Sequence, residues 1–247
     1  MTLRFLTAGE SHGPGLVAIL EGLPAGLKLS SQVINPELAR RQRGYGAGPR
    51  MKIESAAVKI LSGVLEGETT GAPLALSIHN KDYSKWRGRA VQPMTAPRPG
   101  HADLTATLKY GYQDLRPALE RASARETAAR VAVGAVCKHF LAQFGARVEG
   151  YVTAIGGVHA DLSAIPMEER SRRAEDSDVR CPDPPSSDAM RARIREAIQA
   201  RDTLGGIIEV IALSLPPGLG SHVQWDRRLE ARIGAAFLSV QAIKGVE

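Results

Sequence analysis

Arginine and small hydroxyl residues are concentrated in one short stretch of the chain, residues 120–135. Its charged and hydroxyl members of interest are Arg121, Ser123, Arg125, Thr127 and Arg130. Small apolar residues follow, as in the body of a helix, and the N–H groups at a helix start bind anions. Arginine forms paired hydrogen bonds with phosphate and carboxylate. The stretch therefore predicts an anion-binding site, although a helix with arginines on its outer face would have the same pattern.

Two histidines lie in short turns that contain glycine. His12 belongs to the segment Gly9-Glu10-Ser11-His12-Gly13, and His101 follows Pro99 and Gly100. Imidazole changes its charge near neutral pH, so either histidine is suited to proton transfer. A surface histidine without a chemical role remains the alternative. Asp103 could orient His101 or cap the helix that follows, and we favour capping.

The segment Gly9–Gly13 also fits the pattern G-x-S-x-G of the α/β-hydrolases, with Ser11 as the nucleophile. In those enzymes several strands precede this turn and a helix follows it. Here only a short stretch precedes it, and Pro14 stands close to where the helix should begin. We therefore interpret Ser11 as a turn or ligand residue.

Composition narrows the class of protein. The chain has 247 residues, enough for one large domain or two small ones, and a net charge of +6. Such a charge suits either nucleic acid or small anionic ligands. Nucleic acid is the weaker prediction, because motifs for nucleic-acid recognition are absent and only 4% of residues are aromatic. Cys137 and Cys181 lack metal-ligand spacing, so no metal is expected. With no membrane-length apolar run or leader pattern, we expect a cytoplasmic protein without a membrane partner.

Hydrophobic patterns, glycine and proline predict alternating short strands and helices. The segment Asn35-Pro36-Glu37 is typical of a helix start, with Asn35 as N-cap. Residues 80–100 are predicted as a basic loop and residues 161–188 as a surface excursion. The strands are predicted at about 3–7, 16–23, 56–63, 72–79, 147–155 and 206–215. The helices are predicted at about 35–43, 102–110, 123–144, 188–201 and from 226.

Three motifs follow one another along the chain: Gly9–Gly13, the turn of His101 and residues 120–135. In this order they resemble the chorismate synthase family. The resemblance covers nearly the whole chain except about 160–200. It continues through Arg40-Arg41-Gln42, Gly44-Tyr45-Gly46, Leu61-Ser62-Gly63, Thr69-Thr70-Gly71-Ala72-Pro73, Lys109-Tyr110-Gly111 and Lys244-Gly245-Val246-Glu247. The family has a further Arg-Ser-Asp segment that is not found here.

This resemblance implies an α+β fold, a β-α-β sandwich with helices packed between antiparallel sheets. A single domain over residues 1–247 is expected, C-terminally incomplete, with 161–188 as an excursion within it. An internal pseudo-repeat is also implied. The segment Leu23-Pro24-Ala25-Gly26-Leu27 has an echo in Leu215-Pro216-Pro217-Gly218-Leu219, for which coincidence is the alternative, because turns with Pro and Gly are common.

The resemblance also implies an activity, the 1,4-anti elimination of phosphate from 5-enolpyruvylshikimate 3-phosphate to give chorismate. The reaction would require reduced FMN without net redox change, with NADPH as a candidate reductant. A homotetramer is implied, with the 80–100 loop as a candidate lid. The alternatives are an inactive folded fragment of the same enzyme and the basic nucleic-acid-binding protein considered above.

Residue roles follow from the same resemblance. His12 is implied to serve the departing phosphate, and His101 to serve the reduced flavin. The substrate or NADP contacts are implied at Arg41, Arg50, Arg125 and Arg130. A further family arginine falls on Ala47, which is a departure from the pattern. The FMN contacts are implied at Arg121, Ala122, Ser123, Gln241 and Ala242.

Overall fold

The computed structural model describes residues 3–46 and 56–247. These residues group into two compact units. One contains residues 3–38, 56–137 and 216–247, and the other contains residues 39–46 and 138–215. In the described parts of the chain, no helix is long and apolar enough to cross a membrane.

The strands are short and pair antiparallel wherever pairing is recorded. In the first unit they are β1 Arg4–Ala8, β2 Gly15–Glu21, β3 Ala25–Lys28, β4 Val58–Ser62, β5 Val64–Leu65, β6 Glu68–Thr70 and β7 Leu74–His79. In the second unit they are β8 Arg147–Ile155, β9 Val158–His159 and β10 Gly206–Leu213.

The helices lie between groups of these strands along the chain. They are α1 Ser31–Gln42, α2 Tyr83–Trp86, α3 Asp103–Tyr110, α4 Arg116–Arg121, α5 Thr127–Ala142, α6 Met167–Glu175, α7 Pro184–Ala200 and α8 Leu229–Leu238. A 3₁₀ turn, Ala124–Glu126, leads directly into α5, and another, Trp225–Arg227, precedes α8.

The first unit is built on a four-stranded sheet in the order β1-β2-β7-β4, with a three-stranded sheet β3-β6-β5 beside it in the same unit. Alternate residues of β2 and β7 are buried, as expected when one face of a sheet is covered. Against them pack the small residues of α5, such as Ala128 and Ala132, both fully buried. Alanine lets the helix approach the sheet closely, which explains the aliphatic, aromatic-poor composition of this core.

The second unit contains the sheet β10-β8-β9. Strands β8 and β10 pair along their whole length, from Arg147 opposite Leu213 to Ile155 opposite Gly206. A small apolar cluster is formed by Val179, Cys181 and Met190.

Two of these buried residues, Val179 and Cys181, lie in the segment predicted as a surface excursion. Residues 161–188 also contain α6 and the first turn of α7. The segment therefore contributes to a core as well as to the surface. The prediction of a single domain over residues 1–247 stays a prediction.

The predicted start of α1 is wrong, because the helix begins four residues earlier, at Ser31, and contains Pro36. The physical reason is the side chain of Asn35. Its Oδ1 accepts a hydrogen bond from the backbone N–H of Val58 at 2.9 Å. The amide therefore binds the start of β4 instead of capping a helix. The turns at Gly26 and Gly218 both have a positive φ, of +85° and +91°, a local likeness that leaves the pseudo-repeat a prediction.

The turn between β1 and β2 depends on glycine at position 9. Its φ is +107°, and an added Cβ would lie 2.3 Å from the carbonyl oxygen of Gly15. We expect Gly9→Ala to lower the free energy of unfolding by roughly 2 kcal/mol, because strain and steric conflict add. Chemical denaturation would measure it.

Gly134 of α5 is the matched control. A Cβ there would meet nothing within 4 Å, and its φ is not in the positive range. Gly134→Ala should raise the free energy of unfolding by about 0.5–1 kcal/mol through helix propensity. Equal effects of the two substitutions would contradict a special role for the turn.

Candidate active site

A buried asparagine holds the turn between β1 and β2. The side chain of Asn80 is fully buried. Its Nδ2 donates to the backbone carbonyls of Glu10, Ser11 and Gly13 at 3.0, 3.2 and 2.9 Å. Its backbone N–H donates to the carbonyl oxygen of Pro14 at 3.1 Å. The turn that carries His12 is therefore fixed to the residue that follows β7.

The other end of the Asn80 amide is also engaged. Its Oδ1 accepts a hydrogen bond from Nε of Arg125 at 2.9 Å, and Nη2 of Arg125 lies 3.4 Å from the carbonyl oxygen of His79. Arg125 is itself buried, with 6% of its surface exposed. Much of its guanidinium is thus committed to holding the site together, and its predicted substrate contact stays a prediction.

His12 is held from two sides. Glu120 Oε1 lies 2.8 Å from His12 Nδ1, and Oε2 accepts the backbone N–H of His12 at 2.6 Å. The indole ring of Trp86 lies with its centroid 4.5 Å from that of the imidazole, tilted by 55°. Trp86 Nε1 in turn donates to Asp82 Oδ2 at 3.0 Å. The imidazole remains partly exposed, with 26% of the side-chain surface accessible.

The geometry does not support a hydrolase nucleophile at Ser11. The turn joins two antiparallel strands, with Ala8 opposite Val17, instead of a strand to a helix. Ser11 is buried, with 2% of its surface exposed, and its N–H donates to the carbonyl oxygen of Glu120 at 3.2 Å. Ser11 is therefore part of the turn, as predicted.

His101 lies in an exposed turn before α3. Gly100 has a φ of +70°, and the N–H of His101 is 3.4 Å from the carbonyl oxygen of Arg98. Within the described parts of the chain, no hydrogen bond connects the His101 ring with His12 or its partners.

The prediction that Asp103 caps this helix is wrong. Asp103 is the first residue of α3, and its side chain is fully buried. It accepts hydrogen bonds from the N–H of Arg98 at 3.0 Å, from Nε at 2.9 Å and from Nη2 at 2.9 Å. The hydrogen bonds from the Arg98 side chain lower the pKa of Asp103 to about 2. The ion pair closes the turn that carries His101.

A second buried carboxylate joins several predicted site residues. Glu126 accepts hydrogen bonds from Thr7 Oγ1 at 2.6 Å, from Arg130 Nε at 3.0 Å and from Gln241 Nε2 at 2.8 Å. Arg121 Nη2 donates to the carbonyl and hydroxyl oxygens of Thr7, both at 2.9 Å. The structure thus brings Arg121, Arg130 and Gln241 into one network.

The ionisation of Glu126 depends on these partners. Burial alone would raise its pKa, but the hydrogen bonds from Thr7 and Gln241 and the charge of Arg130 outweigh it and hold the pKa below its ordinary value. The amide N–H of Gln241 donates to Glu126, and Oε1 of Gln241 is buried and without a hydrogen-bond partner in the described structure. Ala242, beside it, has a φ of +69°.

The remaining predicted residues fall in three places. Ser123 stands just before the 3₁₀ turn that leads into α5, and its Oγ accepts the N–H of Arg125 at 3.3 Å. Ala122 follows α4, and its N–H donates to the carbonyl oxygen of Ala118 at 2.9 Å. Arg41 belongs to the second unit, on the last turn of α1. Arg50 and Ala47 lie outside the described residues.

Comparison with known proteins identifies the family. The sequence profile of the family described as chorismate synthase matches residues 3–247. The chain belongs to the chorismate synthase family. The family resemblance stated above is therefore confirmed.

Proteins named chorismate synthase are similar in sequence to almost the whole of this chain. Chorismate synthases from Aquifex aeolicus and Symbiobacterium thermophilum are 53% and 54% identical over 99% of it. A solved structure titled as chorismate synthase superimposes on all of the chain with a TM-score of 0.85 at 49% identity. The α+β fold with antiparallel sheets is thereby confirmed. The chain spans 66% of the length of both relatives and 68% of the solved chain.

Sequence analysis predicted no role for five residues of the site: Thr7, Asn80, Trp86, Glu120 and Glu126. Only one left a local signal, since Glu126 precedes Arg130 by four residues, the spacing of an ion pair on a helix. Glu120 and Asn80 act on residues 108 and 69 positions away along the chain, as in their contacts with His12 and Ser11. Such contacts have no spacing that a sequence pattern would reveal.

Asn80 and Asn35 offer a matched pair of substitutions. Asn80→Asp replaces an amide nitrogen that faces three carbonyl oxygens with a carboxylate oxygen. We expect the free energy of unfolding to fall by about 3 kcal/mol, because buried acceptors would face one another. Asn35→Asp keeps the oxygen that accepts from Val58 and should have little effect. Equal losses in urea denaturation would refute this role of Asn80.

The Arg98–Asp103 pair predicts a defined pH dependence. Because the pKa of Asp103 is lowered on folding, the pair stabilises the protein above the carboxyl's ordinary pKa. That stability is lost as the pH falls from about 4 towards 2. Asp103→Asn should lower the free energy of unfolding by about 2 kcal/mol at neutral pH. Its difference from the wild type should shrink in that acid range, whereas the exposed Asp226→Asn should show no such convergence.

Proposed function

We propose that this chain carries chorismate synthase activity, the 1,4-anti elimination of phosphate from 5-enolpyruvylshikimate 3-phosphate. The enzyme would thus be a carbon–oxygen lyase acting on a phosphate ester. The observation that carries the proposal is the imidazole of His12, which Glu120 and Trp86 hold while no hydrogen bond from the described residues reaches Nε2. Family membership over residues 3–247 supports it independently.

The charge of the first unit suits such a substrate. The phosphate and carboxylates of the substrate are anionic, and Arg121 offers an exposed guanidinium beside the network of Thr7 and Glu126. The carboxylates of Glu120 and Glu126 would repel an anion, but each is already engaged by hydrogen bonds from protein groups. We propose that Arg125 and Arg130 assist in binding or shaping this site, while the substrate contact expected of Arg41 stays a separate prediction.

FMN, the cofactor expected of the family, fits the residues present. The buried amide oxygen of Gln241 has no donor among residues 3–46 and 56–247, and the flavin ring system carries an N–H group that could satisfy it. We propose that Gln241 and Ala242, with Arg121, Ala122 and Ser123, hold this cofactor. Reduced FMN, when bound, supplies electron density transiently without net redox change.

The protein groups then have separate tasks. His12 donates a proton to the phosphate oxygen as its bond to the ring carbon breaks. We propose that His101, whose turn is closed by Arg98 and Asp103, is a second proton donor and serves the reduced flavin. Asn80 keeps the turn of His12 in place so that the imidazole needs no rearrangement.

The decisive experiment is anaerobic turnover of 5-enolpyruvylshikimate 3-phosphate with chemically reduced FMN, followed by chorismate absorbance. We expect His12→Ala and His101→Ala each to lower kcat by roughly 10²- to 10⁴-fold, because a general acid or base is lost. The exposed His222→Ala is the control and should retain activity.

Binding is measured separately, by the quenching of FMN fluorescence on addition of the chain. A chain that binds FMN and substrate but forms no chorismate would contradict the proposal and would favour the inactive-fragment alternative. Binding of mixed oligonucleotides with a steep salt dependence, in the absence of turnover, would favour the nucleic-acid alternative.

Assembly, location and reductant also remain proposals. We propose a homotetramer in the cytoplasm, with a small-molecule substrate and without nucleic-acid or membrane partners. Native mass spectrometry would measure the subunit number. NADPH consumption under anaerobic conditions with oxidised FMN would test whether the chain reduces its own flavin.

A further inference from the structure

Among the described residues, the carboxylate of Glu120 makes both of its hydrogen bonds to a single residue, His12. One oxygen lies 2.8 Å from the ring nitrogen Nδ1 of His12, and the other accepts the backbone N–H of the same histidine at 2.6 Å. The carbonyl oxygen of Glu120 also accepts the N–H of Ser11 at 3.2 Å. The end of α4 is thus joined to the His12 turn at three points.

From this geometry we infer that Glu120 is the positioning residue of His12: it keeps a proton on Nδ1 and leaves Nε2 as the atom that exchanges a proton with the ligand. An ionised carboxylate can only accept hydrogen bonds. The ring nitrogen that faces it must therefore be the donor, which determines the tautomer of the neutral imidazole.

Three features of the surroundings favour this role. The Glu120 side chain is 13% exposed, so its carboxylate is largely shielded from competing water. The ring of Trp86 lies beside the imidazole and restricts its rotation. The backbone hydrogen bond to Oε2 prevents the carboxylate from turning away, because the turn itself is fixed by Asn80.

The chemical consequence rests on the function proposed above. When His12 is doubly protonated, Glu120 stabilises the imidazolium, and Nε2 carries the proton that can leave. That proton passes to the phosphate oxygen as its bond to the ring carbon breaks. The histidine that remains is neutral. Its Nδ1 keeps its proton and still donates a hydrogen bond to Glu120, so the arrangement is the same before and after the transfer.

Glu120→Gln tests this assignment because it exchanges one acceptor for a donor at nearly constant shape. The amide oxygen can accept from only one of the two His12 N–H groups. If it accepts from the backbone, the amide nitrogen faces Nδ1, and the ring proton must move to Nε2. The opposite orientation would place two donors against each other and leave the backbone N–H unsatisfied.

We expect ¹⁵N NMR of the histidine side chains, at a pH at which His12 is neutral, to show the Nδ1–H tautomer in the wild type. The Glu120→Gln variant should show the Nε2–H tautomer. Its kcat should fall by roughly 10²- to 10⁴-fold with little change in KM, because the imidazolium loses its carboxylate. His12→Ala identifies the signal among the six histidines of the chain.

Glu10→Gln is the matched control, since it removes a carboxylate from an exposed side chain of the same turn. It should keep the Nδ1–H tautomer.

An Nε2–H tautomer in the wild type would overturn the inference, and so would an unchanged tautomer and kcat in Glu120→Gln. The wild-type spectrum needs no variant, so the inference stays testable if Glu120→Gln does not fold. The expected tautomers in a protein without turnover would support the positioning and contradict only the proposed function.

Discussion

The buried amide of Asn80 is the interaction on which the rest of the site depends. One side chain satisfies three carbonyl groups of the β1–β2 turn and accepts the Arg125 Nε–H at its other end. Without it, each of these groups would lose a hydrogen bond in the protein interior, and a buried polar group that is left unsatisfied costs about 1–3 kcal/mol. The position of His12 and the burial of Arg125 therefore follow from the same residue.

Two carboxylates complete the connection between the sheet and the helices of the first unit. Glu120 connects α4 to His12, while Glu126 connects the start of α5 to Thr7 in β1 and to Gln241 near the end of the chain. Each carboxylate is largely buried and accepts hydrogen bonds from protein groups, which offset the free-energy cost of removing a carboxylate from water. In this basic chain, Glu120 and Glu126 thus position other residues, while Arg121 is exposed.

Local patterns predicted much of the fold and part of the site. Strand β8 was predicted at its observed bounds, because glycine ends the preceding helix and apolar residues alternate after it. The start of α1 was missed because Asn35 binds a residue 23 positions away, and Asp103 was misassigned because Arg98 binds it. Motifs pointed to His12, but its partner Glu120 was not predicted, since long-range hydrogen bonds depend on the folded chain.

The tilted contact between Trp86 and the ring of His12 has a consequence for ligand binding. A side chain that is already confined on two sides loses little rotational freedom when a ligand arrives. Less of the binding free energy is then spent on ordering the protein. The indole therefore lowers the entropic cost of binding the ligand proposed above.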